Sequence, residues 1–243
     1  MSQRAWVEQV MGLPVSIHLR GPRVRERDTE ATVAQAYAGL RAADAMFSTW
    51  KPASQVSRLR RGEVGMASCD PLVREVADLC EAARVRTAGA FSAFLPDEAG
   101  DLRFDPTGLV KGWAADRAAA VLGGIEGHAF CLNAGGDVVV GGRDAEDGDR
   151  RWRIGIEDPR DRSRMAEVVE LSAGAVATSG TAARGDHLVD PATGRPVSCD
   201  GSVSVVGPAL MWADVWATAL FVGPPELGTR LPVEQPGYRA IRL

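Results

Sequence analysis

A chain of 243 residues, 45% of them hydrophobic, can bury a large core as one sizeable domain or two intimate halves. Its 28 Lys and Arg against 32 Asp and Glu leave a formal net charge of −4. With the arginines scattered among acids, that balance excludes a nucleic-acid backbone as the main partner. The opening residues Met1 to Trp6 lead into mixed polar sequence without an apolar signal core or a lipobox cysteine. The longest apolar candidate, Ala209 to Val222, is interrupted by Asp214, so no membrane span is expected and the chain reads as cytoplasmic.

Taken in chain order, Val7 to Leu19 alternates around Met11-Gly12-Leu13-Pro14 and predicts a strand pair or bulged strand, with Val15, Ile17 and Leu19 on one face. Thr29 to Met46 carries Val33, Tyr37, Leu40 and Met46 near helical spacing. A second helix starts at Asp70-Pro71, a good N-cap followed by a good first helical residue, with Leu72, Val76, Leu79 and Ala83 as its expected buried stripe. Gly108 to Leu122 predicts a third helix stopped by Gly123-Gly124. Cys131 to Gly142 reads as a strand with a Gly-rich turn in it. Trp152 to Ile156, Val168 to Leu171 and Ser202 to Val206 add strands, with charged turns expected over 144–151 and 158–164. Met211 to Val222 makes the last substantial helix. Several strands follow one another through tight turns, which favours α+β with mixed or antiparallel sheets over a doubly wound sheet. Four cysteines far apart, without a CxxC pair, and three histidines argue against zinc and for buried free thiols.

Chemistry-bearing residues concentrate in a few segments. Asp214 and Thr218 stand four apart on the last helix, hence one turn apart on one face. A carboxylate and a hydroxyl so placed suit Mg²⁺, which keeps few protein ligands; equally, Asp214 can cap the helix while Thr218 bonds back to a carbonyl. Asp105 to Gly112 joins an acidic turn to a helix start, where amide groups and the helix dipole suit an anion and Lys111 adds a mobile positive charge; ordinary capping gives the same pattern. Gly135-Gly136-Asp137 is not a dinucleotide fingerprint and reads as a tight turn against a ligand or another strand. His187 lies among turn formers with Asp186 and Asp190 close by, so it is either a proton acceptor near neutral pH or a surface loop residue. His18, in a strand, and His128, in a helix-to-strand turn, lack such company.

In this order the pieces resemble the flavin transferase family often called ApbE, the FAD:protein FMN transferases. The resemblance rests on Met11 to Val15, Phe47 to Leu59, Asp105 to Asp116, Leu132 to Asp137, Trp152 to Ile156, Ala177 to Gly180, His187 to Pro196 and Ala213 to Val222. It implies an α+β, T-fold-like single compact unit over residues 1–243. It further implies a Mg²⁺-dependent enzyme that moves the FMN half of FAD onto a Thr or Ser hydroxyl of an acceptor flavoprotein and releases AMP. Carried over by motif position, Asp214, Thr218 and the carbonyl of Gly108 resemble the metal ligands. Trp50 stands where the family usually has a tyrosine and is placed to stack on the flavin. Met11, Ala90, Phe91, Ser92, Asp105, Lys111 and Val189 resemble further FAD contacts, and His187 the base that takes the acceptor proton. The chain departs from the pattern in a shortened segment between Phe91 and Asp105. That departure motivates one alternative, an FAD-binding or trafficking protein without transfer; a second alternative is a Mg²⁺-dependent FAD pyrophosphatase, which keeps the metal pair but lacks an acceptor groove.

Overall fold

The computed structural model describes residues 2–96, 100–146, 150–180, 188–191, 193–197 and 200–243. Its elements run β1 (Gln3–Val10), β2 (Leu13–Arg20), α1 (Arg27–Phe47), α2 (Gln55–Arg60), α3 (Pro71–Arg86), β3 (Phe94–Pro96), β4 (Leu102–Phe104), α4 (Thr107–Leu122), β5 (Ala129–Ala134), β6 (Asp137–Gly142), β7 (Trp152–Asp158), β8 (Asp161–Leu171), β9 (Gly174–Gly180), β10 (Ser202–Gly207), α5 (Leu210–Val222), α6 (Leu231–Glu234) and β11 (Arg239–Arg242).

Among the described residues seven strands form one sheet in the order β1-β2-β5-β6-β9-β10-β11, and every neighbouring pair is antiparallel. The expected α+β class holds, with antiparallel pairing throughout. Period-two alternation puts Val15, Ile17 and Leu19 of β2 into the core, as their spacing predicts. The turn between β1 and β2 is only Met11 and Gly12, both in the left-handed region (φ 55° and 71°), the conformation that matches a tight hairpin to strand twist. Gly12 takes it freely; Met11 does so at a steric cost.

Helices α1, α4 and α5 stack on one face of the sheet, with α5 lying against β9 and β10. On the opposite face the β7–β8 hairpin covers the far end, where Ile156 and Val169 meet Val176, Val206 and Ile241. This hairpin also corrects the sequence reading: β8 begins at Asp161, so the charged stretch expected as a turn over 158–164 is largely strand, its polar residues exposed on a projecting ribbon. Thr178-Ser179-Gly180 forms the end of β9.

Capping explains two helix starts. Asp70 Oδ1 accepts from the Leu72 amide at 2.8 Å with Pro71 in the first turn of α3, as expected. The buried stripe of α3 is Val73, Val76, Cys80 and Ala83; Leu72 and Leu79 are only partly buried, because the helix is rotated so that its middle packs inward. Helix α5 has Ala209 at its N-cap and no cap of its own. Asp116 of α4 supplies it, accepting from the amides of Leu210 and Met211 at 2.8 Å each. Burial raises the Asp116 carboxyl above its usual range, against the two amide bonds that hold it down. A raised folded-state pKa means that this group favours folding fully below its unfolded value and loses that contribution as pH rises through the folded one. The amide bonds remain, and removing them leaves two helix-terminal N–H groups unsatisfied. Asp116→Ala is therefore expected to cost about 2 kcal/mol, read as a lowered chemical-denaturation midpoint, with Asp116→Asn losing less.

The described cysteines Cys69, Cys80 and Cys131 are free, as expected; Cys199 lies outside the described residues. Burial pushes the Cys80 thiol up to about 12 and Cys131 up to about 11, which keeps both as unreactive thiols at neutral pH. No helix among the described residues is long and apolar enough to cross a membrane.

Candidate active site

A cavity of about 830 Å³ opens where the β1–β2 turn, the loop after α1, the β5–β6 turn, the end of β9, the first turn of α4 and one face of α5 converge. Its chemistry starts from an anomaly in α5. This helix is apolar almost all round and buried almost throughout, yet it carries Asp214, whose side chain is 7% exposed. A carboxylate in such a place costs several kcal/mol unless it is paired. It does not cap the helix, being the fifth residue in. Instead it faces the cavity and pairs with Lys111 Nζ at 3.3 Å.

Lys111 is shared. Its ammonium also pairs with Asp137, at the start of β6 and almost fully buried. The other oxygen of Asp137, Oδ1, accepts from the Thr178 amide at 2.9 Å, tying the β5–β6 turn to the end of β9. One turn on from Asp214, the Thr218 hydroxyl lies 3.0 Å from the Ser179 hydroxyl, so Thr218 bonds to a neighbouring strand and lines the same wall. Thr178 Oγ1 in turn lies 2.7 Å from Ser204 Oγ on β10. Asp137, Asp214 and the hydroxyls of Ser179 and Thr218 thus line one polar wall, while the Thr178–Ser204 pair lies on the opposite face of the sheet.

Across the cavity, Asp105 precedes α4. Its Oδ1 accepts from the Thr107 amide at 3.1 Å and the Thr107 hydroxyl at 2.5 Å, and its Oδ2 pairs with Arg60 at 3.3 Å. Gly108 follows in the first turn, where an added Cβ would lie 3.3 Å from the ring of buried Phe91. Phe91 is held by its amide, which donates to Thr87 Oγ1 at 3.1 Å. Ser92 Oγ closes a short turn with Phe94.

Trp50 is 91% exposed, so it fills no core. The loop that carries it is nonetheless pinned: Ser48 Oγ accepts from the amides of Trp50 and Lys51 at 3.2 and 3.1 Å, and Ser54 and Ser57 donate to the Ser48 carbonyl. A large indole thus stands in water on an anchored loop beside the cavity. Leu188, Val189 and Pro191 form another part of the wall, where Val189 bridges Pro196.

The structure brings together, around this one cavity, Met11, Trp50, Ala90, Phe91, Ser92, Asp105, Gly108, Lys111, Val189, Asp214 and Thr218, every described residue that the sequence singles out for the site. His187 lies outside the described residues. Sequence reasoning missed Asp137 and Ser179 as site members. The signal for Asp137 was its charge at the entry of an otherwise apolar strand, a position that demands a partner.

The donor chemistry fits a hard divalent cation. Asp214, Thr218 and the adjacent Ser179 offer oxygen ligands only, the preference of Mg²⁺. Among the described residues no group of three or more His, Cys, Asp or Glu could hold a metal.

The ApbE family's sequence profile matches residues 92–241. An FAD:protein FMN transferase of Klebsiella pneumoniae is 30% identical over 152 residues, 58% of this chain and 43% of that protein. One from Vibrio cholerae is 36% identical over 140 residues, 53% of this chain and 41% of that protein. The match therefore spans less than half the length of these relatives. Among solved structures, the ApbE protein of Thermotoga maritima superposes with a TM-score of 0.82 at 21% identity, covering 99% of this chain and 94% of that one. The flavin transferase ApbE of Vibrio cholerae superposes at 0.76 with 20% identity, covering 99% and 97%. At those identities the two likenesses speak for the fold, and the profile match for the family: the chain belongs to the ApbE family.

Proposed function

We propose that this protein is a Mg²⁺-dependent FAD:protein FMN transferase, which attaches FMN from FAD to a Thr or Ser hydroxyl of an acceptor flavoprotein and releases AMP. The observation that carries this reading is the convergence of its oxygen-donor wall, its cationic Lys111 and its presented Trp50 on one cavity. Relatives called FAD:protein FMN transferase support the choice of substrate.

In this reading the isoalloxazine stacks on Trp50 at the mouth and the pyrophosphate lies deeper, between the first turn of α4 and the Asp214 wall. The positive end of the α4 dipole, beside Lys111, attracts the phosphates. Asp214 and Thr218, with the Gly108 carbonyl, hold the cation. A Mg²⁺ ion held there would supply positive charge against the pyrophosphate and the departing AMP. His187 directly precedes Leu188 of the cavity wall and takes the proton of the attacking hydroxyl, a contribution typically of about 10²–10⁴ in rate.

Trp50→Ala is expected to weaken FAD binding about tenfold, as one aromatic stacking partner is lost. Its melting temperature should stay at the wild-type value, because the side chain packs against nothing now. Fluorescence titration with FAD reads the first effect, and unaltered affinity would remove Trp50 from the flavin site.

The experiment for the reading as a whole is incubation of the purified protein with FAD and Mg²⁺, with and without EDTA, following AMP and FMN by chromatography. EDTA-sensitive AMP release supports phosphoryl chemistry at this site. AMP and free FMN in equal amounts, with no protein-bound flavin when acceptor is present, favour the pyrophosphatase alternative. Bound but intact FAD under every condition favours a binding or trafficking protein.

A further inference from the structure

Lys111 occupies a position that deserves a function of its own. Its ammonium sits between two carboxylates, Asp137 and Asp214, whose side chains are 4% and 7% exposed, while its own side chain is 18% exposed at the cavity wall. Two buried carboxylates facing one site repel each other and are costly to leave without a cation. The ammonium stands on a flexible four-carbon stem, from the second turn of a helix whose N-terminus lines the same cavity.

We propose that Lys111 is a built-in placeholder cation: it balances Asp137 and Asp214 while no divalent ion is bound, and it is exchanged out when the ion arrives. This rests on the assignment of Asp214 to the metal site under the proposed function. The exchange follows from charge and space. An ammonium 3.3 Å from Asp214 stands against the space that a dication would enter to reach that carboxylate at about 2.1 Å, and the two positive charges repel each other there. Once displaced, the same stem carries the ammonium toward the cavity, where a phosphate group is its natural counter-ion. Phosphate and metal binding then assist each other through Lys111, and by linkage the assistance is reciprocal. Asp137, fixed by the Thr178 amide at 2.9 Å, is the positioning residue that sets where the ammonium rests.

The test is Mn²⁺ binding to the protein without FAD, read by the electron paramagnetic resonance of free Mn²⁺, on wild type, Lys111→Met, Lys111→Gln and Asp137→Asn. Removing the competitor is expected to tighten Mn²⁺ binding about tenfold in both Lys111 variants, as expected for losing one close opposing charge. The two variants guard against one failing to fold. The metal-free Lys111 variants should also melt below wild type and recover with Mn²⁺ by a larger thermal shift than wild type shows, a readout independent of activity. Asp137→Asn should weaken Mn²⁺ binding, because Lys111 then leans more strongly on Asp214. Mn²⁺ affinity unchanged or reduced in both Lys111 variants would overturn the placeholder role and leave the metal assignment standing. No Mn²⁺ binding in wild type or variants would overturn both together.

Discussion

Asp214→Ala is expected to lower Mg²⁺-dependent turnover of FAD by about 10³-fold while leaving the protein folded. Asp214 sits on a helix that is otherwise apolar and buried, so its carboxylate has no packing reason to be there. It faces the cavity, lies beside the Thr218–Ser179 hydroxyl pair and is reached by Lys111. Loss of the carboxylate takes the only anionic ligand of the proposed set and with it the electrostatic support of the departing AMP. Folding tolerates the change because Lys111 keeps its pairing with Asp137. Circular dichroism should therefore match wild type while AMP release falls. Undiminished release in the variant would show that the cation is held elsewhere.

Gly112→Ala is expected to cost about 2 kcal/mol in stability and to impair the site at a distance. A Cβ at position 112 would lie 2.6 Å from Met211 Cα and 3.0 Å from its amide nitrogen, both backbone atoms that cannot rotate away. Alanine gains about 1 kcal/mol in helix propensity over glycine, but overpacking against an immobile backbone costs more. Helix α4 must then move away from the start of α5, which shifts Lys111 relative to Asp214 and strains the Asp116 cap. Gly39 on α1 is the internal control: nothing lies within 4 Å of a Cβ added there, so Gly39→Ala should be neutral or stabilising by up to about 1 kcal/mol. Denaturant midpoints of the two variants moving the same way would refute this account of the α4–α5 crossing.

The parts of the molecule readable in advance were those set by local rules. Asp70-Pro71 announces α3 because capping acts within a few residues, and Val15, Ile17 and Leu19 declare the buried face of β2 by period two alone. What escaped was set by tertiary contact. The cap of α5 comes from Asp116, 94 residues upstream of Leu210, which no inspection of residues 205–212 would find. The first part of β8, Asp161 to Arg164, looked like a turn because it is charged and exposed, a pattern that a projecting ribbon permits and a buried strand forbids. The site divides in the same way: Asp214 and Thr218 share a helix face by spacing, whereas Asp137 joins them only because α4 carries Lys111 between two distant elements. Trp50 is singled out by resemblance alone, and its near-complete exposure shows that it fills no core.

The most direct test of the central claim is covalent flavin on a second protein. The purified chain is incubated with FAD and Mg²⁺ in a lysate of cells that make it naturally, with an EDTA control, then denatured and separated by gel electrophoresis with flavin fluorescence as the readout. A fluorescent band other than the protein itself, abolished by EDTA and by Asp214→Ala, is the predicted result. Free FMN and AMP without any such band, or FAD recovered intact, would contradict transfer as the function of this site.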